Sequence, residues 1–315
     1  MKDFKVVTAV CVQLSSLIFL GACGETGTSP ADNPRARLPL FEYLGQAPPG
    51  ETPEVFADEV FSQFDHLHSC PVFSPDGTEA YWAVASRDCR SWYMTRSGDE
   101  WSSPQQALFL HDGMGDSPII SPDGHRILFL SQEPTGIDKI RPESIWYVDR
   151  AEDGWSEPKA VGDEVNTYLV HWQVSVAENG NLYFAGSKTN PDQRDIVMAR
   201  LIDGEYSKVT VLGDAINSAE SESNPFIDPD EQYLIFSRRR SSGFTDLFIS
   251  YRRPDGSWTK ARSMGRRINT GSHELCANVS RDGKYLFFMS PRDGRDRIYW
   301  VDAGIIEDLK PDELK

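Results

Sequence analysis

Residues Ser117–Ser131 read SPIISPDGHRILFLS. Two apolar runs flank Ser121-Pro122-Asp123-Gly124. Proline presets φ for the first corner of a tight turn, and Asp-Gly tolerates the corners that follow. Such a turn between β-rich runs predicts a hairpin. The pattern recurs at Ser74-Pro75-Asp76-Gly77 and, with one change, at Ser280-Arg281-Asp282-Gly283. Degraded copies stand at Ala177-Glu178-Asn179-Gly180 and Asp228-Pro229-Asp230-Glu231. The five turns begin at residues 74, 121, 177, 228 and 280. A period of about 50 residues marks stacked supersecondary units.

Each unit has the same interior. A short apolar strand precedes the turn (SPIIS, NPFID) and a β-rich strand follows it (TEAYWAV, HRILFLS, NLYFAGS, QYLIFSR, KYLFFMS). A third strand comes after a variable loop (SIWYVDR, DIVMARL, DLFISYR, RIYWVDA). A second tight turn then leads to an aromatic at Trp101, Trp155, Tyr206 and Trp258, and a fourth strand follows. Four antiparallel strands per unit define a propeller blade. The predicted fold is an all-β, five-bladed propeller, with six blades as the alternative. The fifth unit lacks a fourth strand and ends in GIIEDLKPDELK, which reads as a short helix. The missing strand is expected from the other end: TPEVFADEVF, Thr52 to Phe61, parallels SEPKAVGDEV at Ser156 to Val165. Pairing it with the last blade closes the ring and removes both sheet edges.

These turns, the LYF runs and the DGSW pattern resemble the TolB-type, WD40-like β-propeller repeat of bacterial envelope proteins, over about residues 52–302. The stretch YLGQAPPGETPEVFADEVFS also resembles the start of the domain in a group of such exported propellers. The resemblance implies a propeller in the cell envelope, often with a binding role. It implies no single chemistry, because propellers host scaffolds, lectins, glycosidases and lyases alike.

The N-terminus reads as an export signal. Lys2 and Lys5 precede an apolar run from Val6 to Leu20, too short to span a bilayer comfortably. It ends in Leu20-Gly21-Ala22-Cys23, which resembles the lipobox of bacterial lipoproteins. That resemblance implies cleavage before Cys23, lipidation of Cys23 and anchoring to a membrane of the envelope, on its periplasmic face or at the cell surface. Residues 1–22 are then the signal peptide, 23–37 a flexible Gly/Ser/Thr/Pro-rich tether and 38–315 one propeller domain. The 315-residue chain is 39% hydrophobic, enough for a sizeable core, and carries a net charge of −16. That charge repels phosphate backbones and argues against nucleic acid as a partner. Beyond Cys23, the chain keeps Cys70, Cys89 and Cys276, an odd set that forms neither a disulfide framework nor a metal motif.

Variable loops on a rigid scaffold are the usual place for a site. In a propeller they are the second-to-third-strand loops and the connections between blades, which share one face. Counting back six residues from each turn gives His68, Gly115, His171, Glu222 and Glu274, with Asp116 one step beyond Gly115. These segments are expected to converge on the channel mouth. The candidate catalytic set is therefore His68, Asp116, His171, Glu222 and Glu274. Imidazole and carboxylate are also natural ligands, so His68, His171, Glu222 and Glu274 are candidates for a divalent cation. No other cofactor signature is evident. Solvated channel lining is the plain alternative reading of the same column. Trp172 and Gln173, where other repeats carry Ser-Pro or Asn-Pro, are candidate ligand contacts; Trp172 serves equally as a wedge between blades. Arg87, Arg238 and Arg292 lie in basic loop segments suited to carboxylates, or to pairing with neighbouring acids. Two functions are open: an envelope module that binds a protein or glycan, and a carbohydrate-active enzyme, hydrolase or lyase, using the mouth cluster.

Overall fold

The computed structural model describes residues 43–85, 89–110, 115–131, 143–168, 171–190 and 192–315. The signal segment, Cys23 and Arg87 lie outside the described residues. Five antiparallel sheets follow one another along the chain as the blades of a propeller. Their first three strands are Val72–Phe73, Glu79–Val84 and Arg90–Ser97 in blade 1, and Asp116–Ile120, Arg126–Ser131 and Ser144–Ala151 in blade 2. Blade 3 has Ser175–Val176, Leu182–Gly186 and Asp195–Ala199; blade 4 has Glu222–Ile227, Tyr233–Arg239 and Thr245–Tyr251. Blade 5 has Leu275–Val279, Tyr285–Ser290 and Arg297–Asp302. The outer strands of blades 1 to 4 are two-residue segments, such as Gln105–Gln106 against Arg90–Ser97.

The repeated turn joins the first strand to the second in every blade. In blade 1 the Ser74 hydroxyl donates to Asp76 at 2.6 Å and accepts the Glu79 N–H at 2.9 Å, while Gly77 takes φ 68°. Ser280, Asp282 and Gly283 repeat the arrangement in blade 5. Blade 4 has Glu231 at the glycine position, with φ 55°. Its carboxylate accepts the Tyr183 hydroxyl of blade 3 at 2.6 Å and the Asn181 amide at 3.0 Å. An interblade bond thus replaces the conformational freedom of glycine.

The ring closes as expected: Glu54–Val55 pairs antiparallel with Arg297–Asp302, with Glu54 opposite Trp300 and Val55 opposite Tyr299. The closing strand is shorter than the sequence predicts. Ala57 turns the chain at φ 43°, and Asp58–Phe61 is a helical turn rather than strand. Phe56 is fully buried, with ring centroids 4.9 Å from Trp300 and 5.0 Å from Phe287. The C-terminal helix spans Gly304–Asp308 and buries Ile305 and Ile306.

A candidate functional site at the channel mouth

Three blade connections share a motif the hydrophobic pattern does not reveal: Val165-Asn166-Thr167, Ile216-Asn217-Ser218 and Ile268-Asn269-Thr270. Each asparagine clamps a residue in the preceding blade's third strand. Asn217 Oδ1 accepts the Ile196 N–H at 2.7 Å, and its amide donates back to the Ile196 carbonyl at 3.0 Å. Asn166 does the same with Ile145, and Asn269 with Leu247. Four residues after Thr167, Ser218 and Thr270 come His171, Glu222 and Glu274.

These three side chains serve the connections. Each is fully buried, and none lines the channel mouth. Glu222 Oε1 accepts Arg238 at 2.7 Å and Ser218 at 2.6 Å, while Arg238 also reaches the Ile216 carbonyl at 2.6 Å. Glu274 repeats this with Thr270 at 2.6 Å, Ser290 at 3.0 Å and Arg292 at 3.4 Å, and Arg292 reaches the Ile268 carbonyl. His171 stands in for the pair, its Nε2 3.4 Å from the Val165 carbonyl and its Nδ1 on the Glu143 carbonyl. Burial pushes the pKa of His171 down, against those two carbonyls. Burial pushes that of Glu222 up, against its bonds to Ser218 and Arg238. Arg238 and Arg292 are therefore internal partners of buried acids rather than a basic rim.

The departure from the expected column has a local cause. Ser117, Gln173, Asn224 and Cys276, two residues beyond the column in blades 2 to 5, all have φ between 45° and 54°. In blades 2, 4 and 5 the ladder register shifts at this point, as in a β-bulge. A bulge re-aims the side chains around it. In blades 2 to 5 the residues one or two steps beyond the column, at and just before the bulge, are the ones that reach the mouth. A cleft of about 290 Å³ there takes residues from all five blades, among them His68, Asp116, Ser117, Trp172, Gln173, Asn224 and Cys276. Asn224 donates to Gln173 Oε1 at 3.1 Å, joining blades 4 and 3 beside it. Trp172 is 39% exposed, with the Arg194 guanidinium 4.0 Å from its ring centre. It is part of the cleft wall rather than a buried wedge.

Of the predicted set, His68 and Asp116 meet: Nδ1 to Oδ1 is 3.0 Å. Cys89 Sγ lies 3.4 Å from the same nitrogen. The bond to Asp116, and after it Cys89, raises the His68 pKa to about 11 despite burial. Glu143, outside the predicted set, feels the charges of this pair: burial and then Asp116 push its pKa up to about 7, with His68 opposing. Cys89 and Glu143 each directly precede the third strand of their blade, and Arg194, Phe244 and Asp296 hold the same position in blades 3, 4 and 5. Cys89 and Glu143 thus come from the ends of the second-to-third-strand loops, whereas the predicted set was taken from the segments before each first strand.

A nucleophilic triad does not follow from this geometry. A general base holds its orienting acid on one ring nitrogen and its nucleophile on the other. Here Asp116 and Cys89 share Nδ1. Cys70 and Cys276 are buried, and burial pushes both thiols up, so they behave as small apolar side chains.

No family model matches the chain, and no curated protein matches it in sequence. Its fold is similar to that of a TolB-type protein from Agrobacterium tumefaciens, at 18% identity and a TM-score of 0.52, over 74% of this chain and 76% of that one. It is also similar to an alpha-L-arabinofuranosidase from Lactobacillus brevis, at 12% identity and a TM-score of 0.52, over 76% of this chain and 92% of that one. An endo-arabinase from Bacteroides thetaiotaomicron gives 14% identity and a TM-score of 0.50, over 76% of this chain and 95% of that one. At such identities the shared property is the propeller itself, a fold common to TolB and to enzymes.

Proposed function

We propose that this chain is an envelope propeller, tethered through a lipid on Cys23, that binds the end of a glycan at its channel mouth. One observation carries the reading: a cleft built by all five blades exposes Trp172 beside the Gln173 and Asn224 amides and the Asp116–His68 pair. A flat apolar ring flanked by amides and a carboxylate suits a sugar, which presents an apolar face and a hydroxyl rim. The enzyme alternative no longer has Glu222 and Glu274 to use, since each is bound to its own arginine out of the cleft. It keeps one supporting feature, a Glu143 carboxyl pushed up to about 7 by burial and by the charge of Asp116, as an acid paired with a carboxylate would be in glycoside hydrolysis. An envelope protein as ligand is the third outcome to distinguish.

A glycan array probed with the chain tests the reading. Wild type should bind a defined subset, and Trp172→Ala should weaken that binding roughly tenfold, about 1.4 kcal/mol, with an unchanged melt. Equal binding by Trp172→Ala, or no glycan bound, would refute the cleft as a glycan site. Release of reducing sugar that Glu143→Gln abolishes would favour the enzyme. For the anchor, fatty-acid label on wild type should be lost in Cys23→Ala; retained label overturns it.

A further inference from the structure

We infer that His68, Cys89 and Asp116 form a site for a borderline-soft divalent cation of the zinc class, with a coordination position left for a ligand in the cleft. Imidazole, thiolate and carboxylate are the three side-chain types that ligate zinc, and three protein ligands leave one tetrahedral position open. Their ligand atoms lie within 4.8 Å of one another. Zn–N near 2.0–2.1 Å and Zn–S near 2.3 Å, set tetrahedrally, separate nitrogen from sulfur by about 3.5 Å and nitrogen from oxygen by about 3.3 Å. The structure has 3.4 Å and 3.0 Å. Two of the three edges are thus close to those an ion requires, and the third, sulfur to carboxylate oxygen, is within 4.8 Å.

The three come from separate places in the chain. His68 lies on the lead-in to blade 1, its backbone N–H held by the Ala83 carbonyl at 2.9 Å. Cys89 directly precedes the third strand of blade 1, and Asp116 opens the first strand of blade 2. Packing already brings them together, and an ion would displace whatever protons the imidazole nitrogen and the thiol sulfur carry without it. A thiolate in the set selects zinc over magnesium or calcium, which prefer oxygen alone. Asp116 is nearly buried, whereas the His68 side chain is 39% exposed where it lines the cleft. The open position therefore faces a place where a hydroxyl or carboxylate could arrive. This inference goes beyond the glycan reading and does not depend on it, because metal binding is measured with no glycan present.

The full chain, stripped with a chelator and titrated with Zn²⁺ alone, should take up one equivalent. Cys89→Ser and Asp116→Asn should each weaken that binding roughly tenfold or more, with an unchanged melt. Loaded with Co²⁺ instead, wild type should show a thiolate-to-cobalt charge-transfer band that Asp116→Asn keeps and Cys89→Ser loses. Cys70 and Cys276 remain in the Cys89→Ser chain, so they serve as its internal control. No saturable zinc binding by wild type, or undiminished affinity and cobalt band in Cys89→Ser, would overturn the site. If Cys89→Ser does not fold, Asp116→Asn decides: unchanged zinc affinity in that variant also overturns it.

Discussion

Glu222 has no measurable exposure, and its Oε2 has no hydrogen-bond partner among the described residues. Its charge is balanced through Oε1 alone, by Arg238 and Ser218. Removing the guanidinium leaves a buried carboxylate without its cation. Arg238→Ala should therefore cost about 3–5 kcal/mol in a urea melt at pH 7, a large part of the about 5–15 kcal/mol that holds a typical domain. A loss of under about 1 kcal/mol, the value of an exposed pair, would contradict this assignment. Glu143 behaves differently. Its folded pKa stands near 7 against 4.5 for an ordinary glutamate, so the folded state keeps a proton that the unfolded chain gives up. The stability this contributes is full below about pH 4.5 and is lost as pH rises through about 7, by at most about 3 kcal/mol. In metal-free protein, Glu143→Gln should flatten the melt-versus-pH curve over that window and raise stability at pH 8. Parallel curves would remove Glu143 from the cluster. His68, raised to about 11, acts in the same direction over a later window: its contribution is complete below about pH 6.5 and is lost as pH rises through about 11.

Strand-length patterns were the most legible part of the sequence. Alternating apolar runs and Asp-Gly turns report directly on backbone geometry, so every hairpin and all five repeats could be placed from them. Side-chain direction at the mouth could not, because it turns on a bulge. Ser117, Gln173, Asn224 and Cys276 adopt positive φ with no glycine to announce it. One residue of slip moves a side chain to the other side of a strand. That is why His68 and Asp116 reached the mouth while His171, Glu222 and Glu274 went into the blade connections. The connections did carry a readable signal in their recurring Val-Asn-Thr, Ile-Asn-Ser and Ile-Asn-Thr triplets, set apart by the same period as the turns. The clamp itself is testable. Asn217→Ala removes both bonds to Ile196 and a third, at 2.6 Å, to the Leu212 carbonyl. A buried backbone group left unpaired costs about 1–3 kcal/mol, so the melt should fall by several degrees. Unchanged stability would mean that water can replace the amide.

Each blade gains its interior only when a neighbour covers it, so the ring has one weak seam, where the two ends of the chain meet. Here the seam joins blade 5 to blade 1. Across it packs a single aromatic cluster of Phe56, Phe61, Trp82, Phe287 and Trp300. The backbone hydrogen bonds of the clasp among the described residues are few: two paired positions, Phe56 N–H to the Ile298 carbonyl at 2.8 Å, and Asp302 N–H to the Gly50 carbonyl at 3.0 Å, with side-chain bonds from Tyr43 to Asp282 and from Arg295 to Asp58 besides. Apolar burial must therefore do most of the holding. Phe56 is fully buried and Phe61 is 3% exposed. Burying a side chain of this size is worth about 1.5–3 kcal/mol, and truncating a buried Phe to Ala costs about 3–5 kcal/mol with its cavity. Phe56→Ala should lower the melt well beyond what Val55→Ala does, since Val55 is only partly buried. A chain begun at residue 62 loses both phenylalanines and exposes the edge of Arg297–Asp302. It should melt markedly lower than one begun at residue 38, and associate through the bared strand at high concentration. Scanning calorimetry with light scattering reads both effects. Equal melting temperatures for the two chains would mean that the N-terminal strand decorates the last blade without closing the ring.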